Sequence, residues 1–143
     1  MVSGMRRPSF DSLAGRRVFV TGAASGIGRA LAIAAAADGA EVFLTDIDAV
    51  HLAETAAEIE KAGGRLGCAQ AADIASYEQV RALADEIAAS TAGGTSMDLV
   101  MNVAGIAIWG TVENLEHRQW QRTVDINLMG PIHVIETFLP PMV

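Results

Sequence analysis

The stretch RVFVTGAASGIG, residues 17–28, decides the fold of this 143-residue chain. Arg17 and the β-branched and aromatic run Val18-Phe19-Val20 are typical of a strand, and from Ile27 onward an alanine-rich segment is typical of a helix. Glycines between the two let phosphate oxygens approach the main chain, since no Cβ stands in the way, and free N–H groups at a helix start attract negative charge. Strand, glycine turn and helix therefore predict a dinucleotide-binding site.

Composition limits the function classes. A length of 143 residues with 51% hydrophobic and 19% charged residues suits one globular domain with a substantial core. The net charge of −7, without a basic cluster, argues against nucleic-acid binding. The single cysteine, Cys68, cannot form an internal disulfide, and no apolar run approaches the roughly 20 residues of a membrane helix. We expect a cytoplasmic protein without a membrane or nucleic-acid partner.

Strand-like and helix-like segments alternate along the chain. We expect strands at residues 17–20, 41–45, 65–71 and 98–103, and helices at 26–38, 49–62, 76–90 and, interrupted by Gly130-Pro131, at 115–139. Alternation of this kind implies right-handed crossovers and a parallel sheet. The predicted fold class is α/β, a Rossmann-type doubly wound parallel sheet of which the chain supplies the first four strands.

Further motifs follow the glycine turn in a fixed order. Asp46 closes the second strand, Asp73-Ile74 follows the third, Asn102-Val103-Ala104-Gly105 follows the fourth, and Asn127 lies in the last helical stretch. Together with the Thr21–Gly28 turn, this order resembles the short-chain dehydrogenase/reductase family, whose glycine motif is Thr-Gly-x3-Gly-x-Gly. One departure is Val103, where the family usually has a second asparagine.

The resemblance implies an oxidoreductase that transfers hydride between an alcohol and a carbonyl, with NAD favoured over NADP as cofactor. Residues 1–14 are expected to form a flexible N-terminal arm, with Gly15 closing a turn before the first strand. The resemblance implies an NAD(P)-binding Rossmann domain over residues 15–143, truncated before the fifth strand. Its partners would be a small-molecule alcohol or carbonyl and, in the complete protein, further copies in a dimer or tetramer. No metal site is expected. The resemblance places cofactor binding at Gly22, Ser25, Gly26, Ile27, Gly28, Asp46, Ile47, Asp73, Ile74, Asn102, Ala104 and Gly105.

The choice between NAD and NADP depends on Asp46. It follows Gly28 by 18 residues, where a carboxylate can accept hydrogen bonds from both hydroxyls of the adenosine ribose. A 2′-phosphate would meet like charge there, and Ser25 and Ile47 stand where family members that prefer NADP usually carry a basic residue. The alternative is an exposed acid that caps the next helix, a position that Asp48 fills better.

Two further segments carry family roles with simpler alternatives. Asp73 and Ile74 would bracket the adenine, the carboxylate accepting from the exocyclic amine and Ile74 covering the ring face; alternatively Asp73 is an ordinary turn acid. The segment 102–105 would support the central strands and let the backbone pass close to the cofactor; alternatively it is only a strand followed by a turn.

Asn127 is the catalytic position that the chain shares with the family's Asn-Ser-Tyr-Lys tetrad, where its carbonyl holds a water of a proton relay. In a regular helix this carbonyl would accept from residue 131, but Pro131 has no N–H, so the carbonyl should be free; alternatively the kink serves only packing. The family's serine and Tyr-x3-Lys lie beyond Val143, and Tyr77, in the third helix, cannot replace them. Two functions therefore stay open: an oxidoreductase seen as an incomplete chain, or a non-catalytic truncated dinucleotide-binding fragment or pseudoenzyme.

Overall fold

The computed structural model of the protein describes residues 11–92 and 94–143. Its strands are β1 (Arg17–Thr21), β2 (Glu41–Asp46), β3 (Arg65–Ala71) and β4 (Leu99–Met101). Its helices are α1 (Gly26–Ala37), α2 (Ala49–Lys61), α3 (Tyr77–Ser90), α4 (His117–Val124) and α5 (Gly130–Phe138). A π-helical segment (Asp125–Met129) joins α4 to α5, and a 3-10 turn (Pro140–Met142) follows.

The strands form one parallel sheet in the order β3-β2-β1-β4. This arrangement confirms the predicted α/β class with a doubly wound, Rossmann-type sheet. The chain runs outward from β1 to β3 and then returns to pair β4 with the other side of β1. Open α/β sheets bind ligands where the strand order reverses, at the carboxyl ends of the strands, so the topology directs attention to the ends of β1 and β4.

Alternating side chains on the two central strands separate two cores. Val18 and Val20 of β1 belong to the cluster that contains residues of α1 and α2. Phe19 and Phe43 belong to the cluster on the opposite face, with residues of α3 and α5. Because successive residues of a strand point to opposite faces, a short apolar strand fills both cores at once.

An aromatic pair fixes α5 to the sheet. The rings of Phe19 and Phe138 stack with centroids 4.4 Å apart and planes inclined by 24°. Both side chains are fully buried. Phe138 is the last residue of α5, so this pair anchors the end of that helix beneath β1.

The fourth strand is shorter than the predicted 98–103. Pairing with β1 covers Leu99–Met101 only. Beyond it the amides of Val103 and Ala104 donate to the Thr21 hydroxyl, at 3.0 and 3.1 Å, instead of to a neighbouring main chain. A buried side-chain acceptor at the end of β1 therefore ends the ladder early.

The last helical stretch, predicted at 115–139, is two helices with a π-helical segment between them. Pro131 cannot donate, and the chain widens ahead of it: the N–H of Gly130 donates to the carbonyl of Asp125, five residues back. The sequence predicts the interruption at Gly130-Pro131, whereas the structure has it just before, at Asp125–Met129, and α5 begins at Gly130.

The N-terminal residues are only partly described. Residues 1–10 of the expected arm lie outside the described part. Within it, the amide of Leu13 donates to the carboxylate of Asp38 and that of Gly15 to the carbonyl of Gly39. The chain is therefore attached to the end of α1 before residue 15. Across residues 11–92 and 94–143, no helix has the length and apolar character needed to cross a bilayer.

We predict that Phe138→Ala lowers the free energy of unfolding by about 3–5 kcal/mol, because it removes a fully buried ring and leaves a cavity against Phe19. Urea unfolding followed by circular dichroism measures this. Leu139→Ala, at a neighbouring position that is 47% exposed, is the matched control and should cost far less. Equal losses in the two variants would contradict the anchoring role of the aromatic pair.

Candidate dinucleotide site

The structure places a cleft of about 350 Å³ at the carboxyl ends of the strands. Every residue that the sequence analysis assigned to cofactor binding lines it, except Asn102. The predicted residues in the cleft are Gly22, Ser25, Gly26, Ile27, Gly28, Asp46, Ile47, Asp73, Ile74, Ala104 and Gly105. Segments far apart in sequence thus meet where the topology predicts a ligand.

The first wall is the glycine turn, which lies directly against the segment after β4. Gly22 has φ +71°, and a Cβ built on it would lie 2.8 Å from the Cα of Ala104. Both the conformation and the contact require glycine at this position. Any side chain there would push the β1 turn away from β4 and open the floor of the cleft.

The start of α1 supplies free main-chain donors. Its first helical bond runs from the amide of Arg29 to the carbonyl of Ser25, at 3.1 Å, so the amides of Gly26, Ile27 and Gly28 precede the helical ladder. The Ser25 side chain makes no capping bond to them. Since these residues line the cleft, the helix start can receive an anionic group there.

Asp46 is held by two main-chain amides. Its Oδ2 accepts from Ala24 N at 2.9 Å, and its Oδ1 accepts from Asp48 N at 3.0 Å. A carboxylate has about four acceptor positions, so each oxygen retains capacity for a further hydroxyl donor. The carboxylate is therefore fixed between the glycine turn and the start of α2, with acceptor capacity left for a ligand.

The cap of α2 is Asp48, as the sequence indicated. Its Oδ1 accepts from the amides of Val50 and His51, both at 3.1 Å. A hydrogen bond between the same carboxylate and His51 Nδ1, at 2.6 Å, lowers the pKa of Asp48 and raises the pKa of His51. Asp46 is therefore not needed as a helix cap, in line with its position in the cleft.

Asp73 and Ile74 form the wall after β3. Asp73 Oδ1 accepts from the amide of Ala75 at 3.0 Å, and its other oxygen has no partner among the described residues. Ile74 is only 5% exposed and its side chain belongs to the core, so little of it is free to cover a ring. Ile47, which is 60% exposed on the opposite wall, offers more apolar surface.

Asn102 does not line the cleft. It borders a groove along the free side of β4, together with Leu99 and residues of α5, whereas the next residue, Val103, lines the cleft. The reason is alternation: adjacent residues of an extended chain face opposite sides. At Val103 the family usually has a second asparagine. The main-chain amide of Val103 donates to the Thr21 hydroxyl whatever the side chain is, so this departure changes only the side chain.

Asn127 holds the segment after β4 from the other side. Its Nδ2 donates to the carbonyl of Ile106 at 2.7 Å, and its Oδ1 accepts from the amide of Ile106 at 2.8 Å. The side chain thus replaces a strand neighbour for one residue of that segment. It lies within the π-helical segment, not on the lining of the cleft.

The sequence analysis missed five lining residues: Ala72, Val103, Ile106, Arg122 and Ile126. Arg122 and Ile126 are four residues apart on consecutive helical turns, so they share a face, but no sequence signal says that this face meets the cleft. Among the described residues, no group of three or more His, Cys, Asp or Glu side chains is arranged for a metal ion. Tyr77 contacts His133 and Arg81 instead of the cleft.

Known proteins are similar to this chain in sequence. The family model described as short chain dehydrogenase matches residues 16–143. The short chain dehydrogenase/reductase dpmpG of Macrophomina phaseolina is 36% identical over 121 residues, which cover 84% of this chain and 67% of that protein. In eight curated relatives that it matches, the chain spans between 20% and 67% of the relative's length, and in four of them 44–48%.

Solved structures agree in fold. A short chain dehydrogenase/reductase of Burkholderia phymatum in complex with NAD has a TM-score of 0.83 and 30% identity, covering 92% of this chain and 45% of that one. The L-sorbose reductase of Gluconobacter frateurii, complexed with NADPH and L-sorbose, has a TM-score of 0.82 and 28% identity, covering 92% and 49%. With the family model matched over most of its length, the chain belongs to the short-chain dehydrogenase family.

Proposed function

We propose that this chain forms the NAD-binding part of an oxidoreductase that interconverts an alcohol and a carbonyl of a small-molecule substrate. One observation carries the proposal: a single cleft combines the free amides of a helix start with two carboxylates that main-chain amides hold in place. Amides suit a pyrophosphate, and carboxylates suit ribose hydroxyls and an adenine amine.

Different residues of the cleft would bind different parts of the cofactor. The amides of Gly26, Ile27 and Gly28 would receive the pyrophosphate, and the Asp46 carboxylate the ribose hydroxyls. Asp73 would accept from the adenine amine, while Ile47 would cover a face of the ring. The bound nicotinamide would supply the hydride chemistry, and this chain's residues would position its adenosine and pyrophosphate parts.

NAD is favoured over NADP by the charges at the ribose end. A 2′-phosphate beside Asp46 would face a carboxylate that two amides hold in place. Ile47 and Ser25, which line the same cleft and stand where family members that prefer NADP usually carry a basic residue, offer no positive charge. Related structures contain either cofactor, NAD in the Burkholderia protein and NADPH in the sorbose reductase, so the choice depends on these local residues.

Asn127 is proposed to hold a water through its main-chain carbonyl, as part of a proton relay. Two features support this role: Pro131 cannot donate to that carbonyl, and the surrounding helix is widened into a π-helical segment, a form common at functional sites. The Asn127 side chain bonds to the amide and the carbonyl of Ile106, and the proposal assigns the water to the main-chain carbonyl of Asn127.

Binding without turnover is the second candidate function. The described residues that line the cleft include no tyrosine and no lysine, which are the groups that would move the substrate proton. NADH absorbance during incubation of the protein from its natural source with NAD and a panel of alcohols separates the two candidates. Formation of NADH supports the oxidoreductase, and binding of NAD without NADH supports the module.

The last helices also suggest that the protein associates with copies of itself. Trp120, Val124 and Leu128 are 50%, 46% and 56% exposed along one stretch of chain. Contiguous exposed apolar side chains favour an interface, and we propose that copies of the protein associate through this stretch. Sedimentation velocity of the protein measures the oligomeric state.

We predict that Asp46→Ala narrows the preference for NAD over NADP by about tenfold or more, because charge-assisted hydrogen bonds of about 1.5–3 kcal/mol to the ribose are lost together with the repulsion of a 2′-phosphate. Calorimetric titration with both cofactors measures the ratio of dissociation constants. Asp85→Ala, an exposed acid of α3 outside the cleft, is the control and should leave the ratio unchanged. An unchanged ratio in Asp46→Ala would remove the assignment.

We predict that Gly26→Ala weakens NAD binding while the fold survives. Gly26 has φ +52° with open space where a Cβ would lie, so the substitution costs only about 1–2 kcal/mol of strain but puts a methyl group where the pyrophosphate approaches. Gly63→Ala is the matched control, with φ +80° and equally open space after α2, away from the cleft. Similar melting temperatures with weaker NAD binding only in Gly26→Ala are expected; equal affinities would place the pyrophosphate elsewhere.

A further inference from the structure

α5 contacts the cleft wall after β3 through one histidine. His133 Nδ1 lies 2.9 Å from the main-chain carbonyl oxygen of Ile74. A carbonyl oxygen can only accept, so Nδ1 carries the proton and donates it. The bond joins residues 59 positions apart in the sequence, and Ile74 is part of the cleft wall.

A second contact on the same face of α5 reaches the same residue. Gly130 lies three residues before His133, and a Cβ built on it would lie 2.5 Å from Ile74 Cδ1. Residues three apart on a helix are neighbours on one face. The helix thus holds Ile74 at two places, its side chain against Gly130 and its carbonyl at His133.

The imidazole is itself held in place. Its ring lies 5.5 Å from the ring of Tyr77, centroid to centroid, with the planes inclined by 52°. Tyr77 is the first residue of α3, directly after residues 72–76, which form the wall segment of the cleft after β3. His133 is half-buried between α3 and that segment, so its donor direction is set by packing as well as by the hydrogen bond.

The rest of the wall segment is tied to β2 and to α3. The amide of Ala72 donates to the carbonyl of Asp46, and the amide of Asp73 donates to Gln79 Oε1, both at 2.9 Å. The His133 bond is therefore the fixation that this segment receives from α5. Without it the segment would be held by the sheet and α3 alone, together with the packing of Ile74.

We propose that His133 is a positioning residue for the adenosine half of the cofactor. By fixing the Ile74 carbonyl to α5, it holds the Asp73 carboxylate at a set distance from Asp46 and Ile47 across the cleft. It touches no part of the ligand and acts through the wall segment. This inference rests on the proposed function, since the site it shapes is the proposed dinucleotide site.

The test compares His133→Leu with His133→Asn. Leucine keeps an apolar contact with Tyr77 but cannot donate, whereas the asparagine amide places a donor where Nδ1 stands. The probe is ADP-ribose, titrated calorimetrically, because it carries the adenosine and pyrophosphate without the nicotinamide. We expect His133→Leu to weaken ADP-ribose binding about tenfold, the effect of one hydrogen bond of typical strength, and His133→Asn to restore it to within about threefold of the parent.

Two further measurements separate positioning from general damage. Hydrogen exchange of the amides at 72–76 should be faster in His133→Leu and near normal in His133→Asn, in protein without ligand. His117→Leu, at the exposed first residue of α4, is the matched histidine control and should change neither readout.

The possible results distinguish a failure of this inference from a failure of the proposed function. If the parent binds ADP-ribose and His133→Leu binds it equally well, the inference is wrong and the proposed function stands. Equal weakening in the leucine and asparagine variants assigns the loss to packing and also overturns the inference. A parent that binds neither NAD nor ADP-ribose overturns the proposed function and, with it, this inference.

Discussion

The contact between the ends of β1 and β4 is the constraint on which the rest of the structure depends. The Thr21 hydroxyl accepts from the amides of Val103 and Ala104, and Gly22 leaves room for the Ala104 backbone beside it. These strands are neighbours where the strand order reverses, so no helix crosses between their carboxyl ends. A threonine and a glycine, placed together, keep the two ends close enough to form the floor of a cleft and far enough apart to leave it open.

The polar groups of the cleft are arranged before any ligand arrives. Main-chain amides at the start of α1 present partial positive charge, and the carboxylates of Asp46 and Asp73 are each fixed by main-chain amides. Fixed groups lose little freedom on binding, so their interactions are not offset by the cost of ordering them. The cleft thus combines main-chain donors with carboxylate acceptors, whereas a site for a simple anion would need the donors alone.

The last third of the chain connects the two walls of the cleft. Asn127 binds the main chain of Ile106 after β4, and His133 binds the main chain of Ile74 after β3. Both lie within one continuous helical stretch that widens ahead of Pro131. Because α5 is anchored at its far end by the stacked rings of Phe19 and Phe138, its contacts with the walls have a fixed base. The region is therefore both the second layer of the core and the support of the site.

The sequence by itself determined the order of the strands and helices, the position of the glycine turn and the family. It also singled out Asp46 and Asp73 at the ends of two strands. These features depend on local periodicity and on residue types at short spacing. The sequence also indicated an interruption near Pro131, since a missing N–H is a property of one residue, although the interruption lies just ahead of it at Asp125–Met129. Only the tertiary structure decided that Asn102 faces away from the cleft, that the interruption is a π-helical segment, and that Arg122, Ile126 and His133 meet the site or its wall. The physical reason is the same in each case. The side of a strand or helix that a residue faces, and the residue it contacts there, depend on how distant segments pack. Alternation and helical spacing predict only which residues share a side, because they do not say which side meets the core or the cleft.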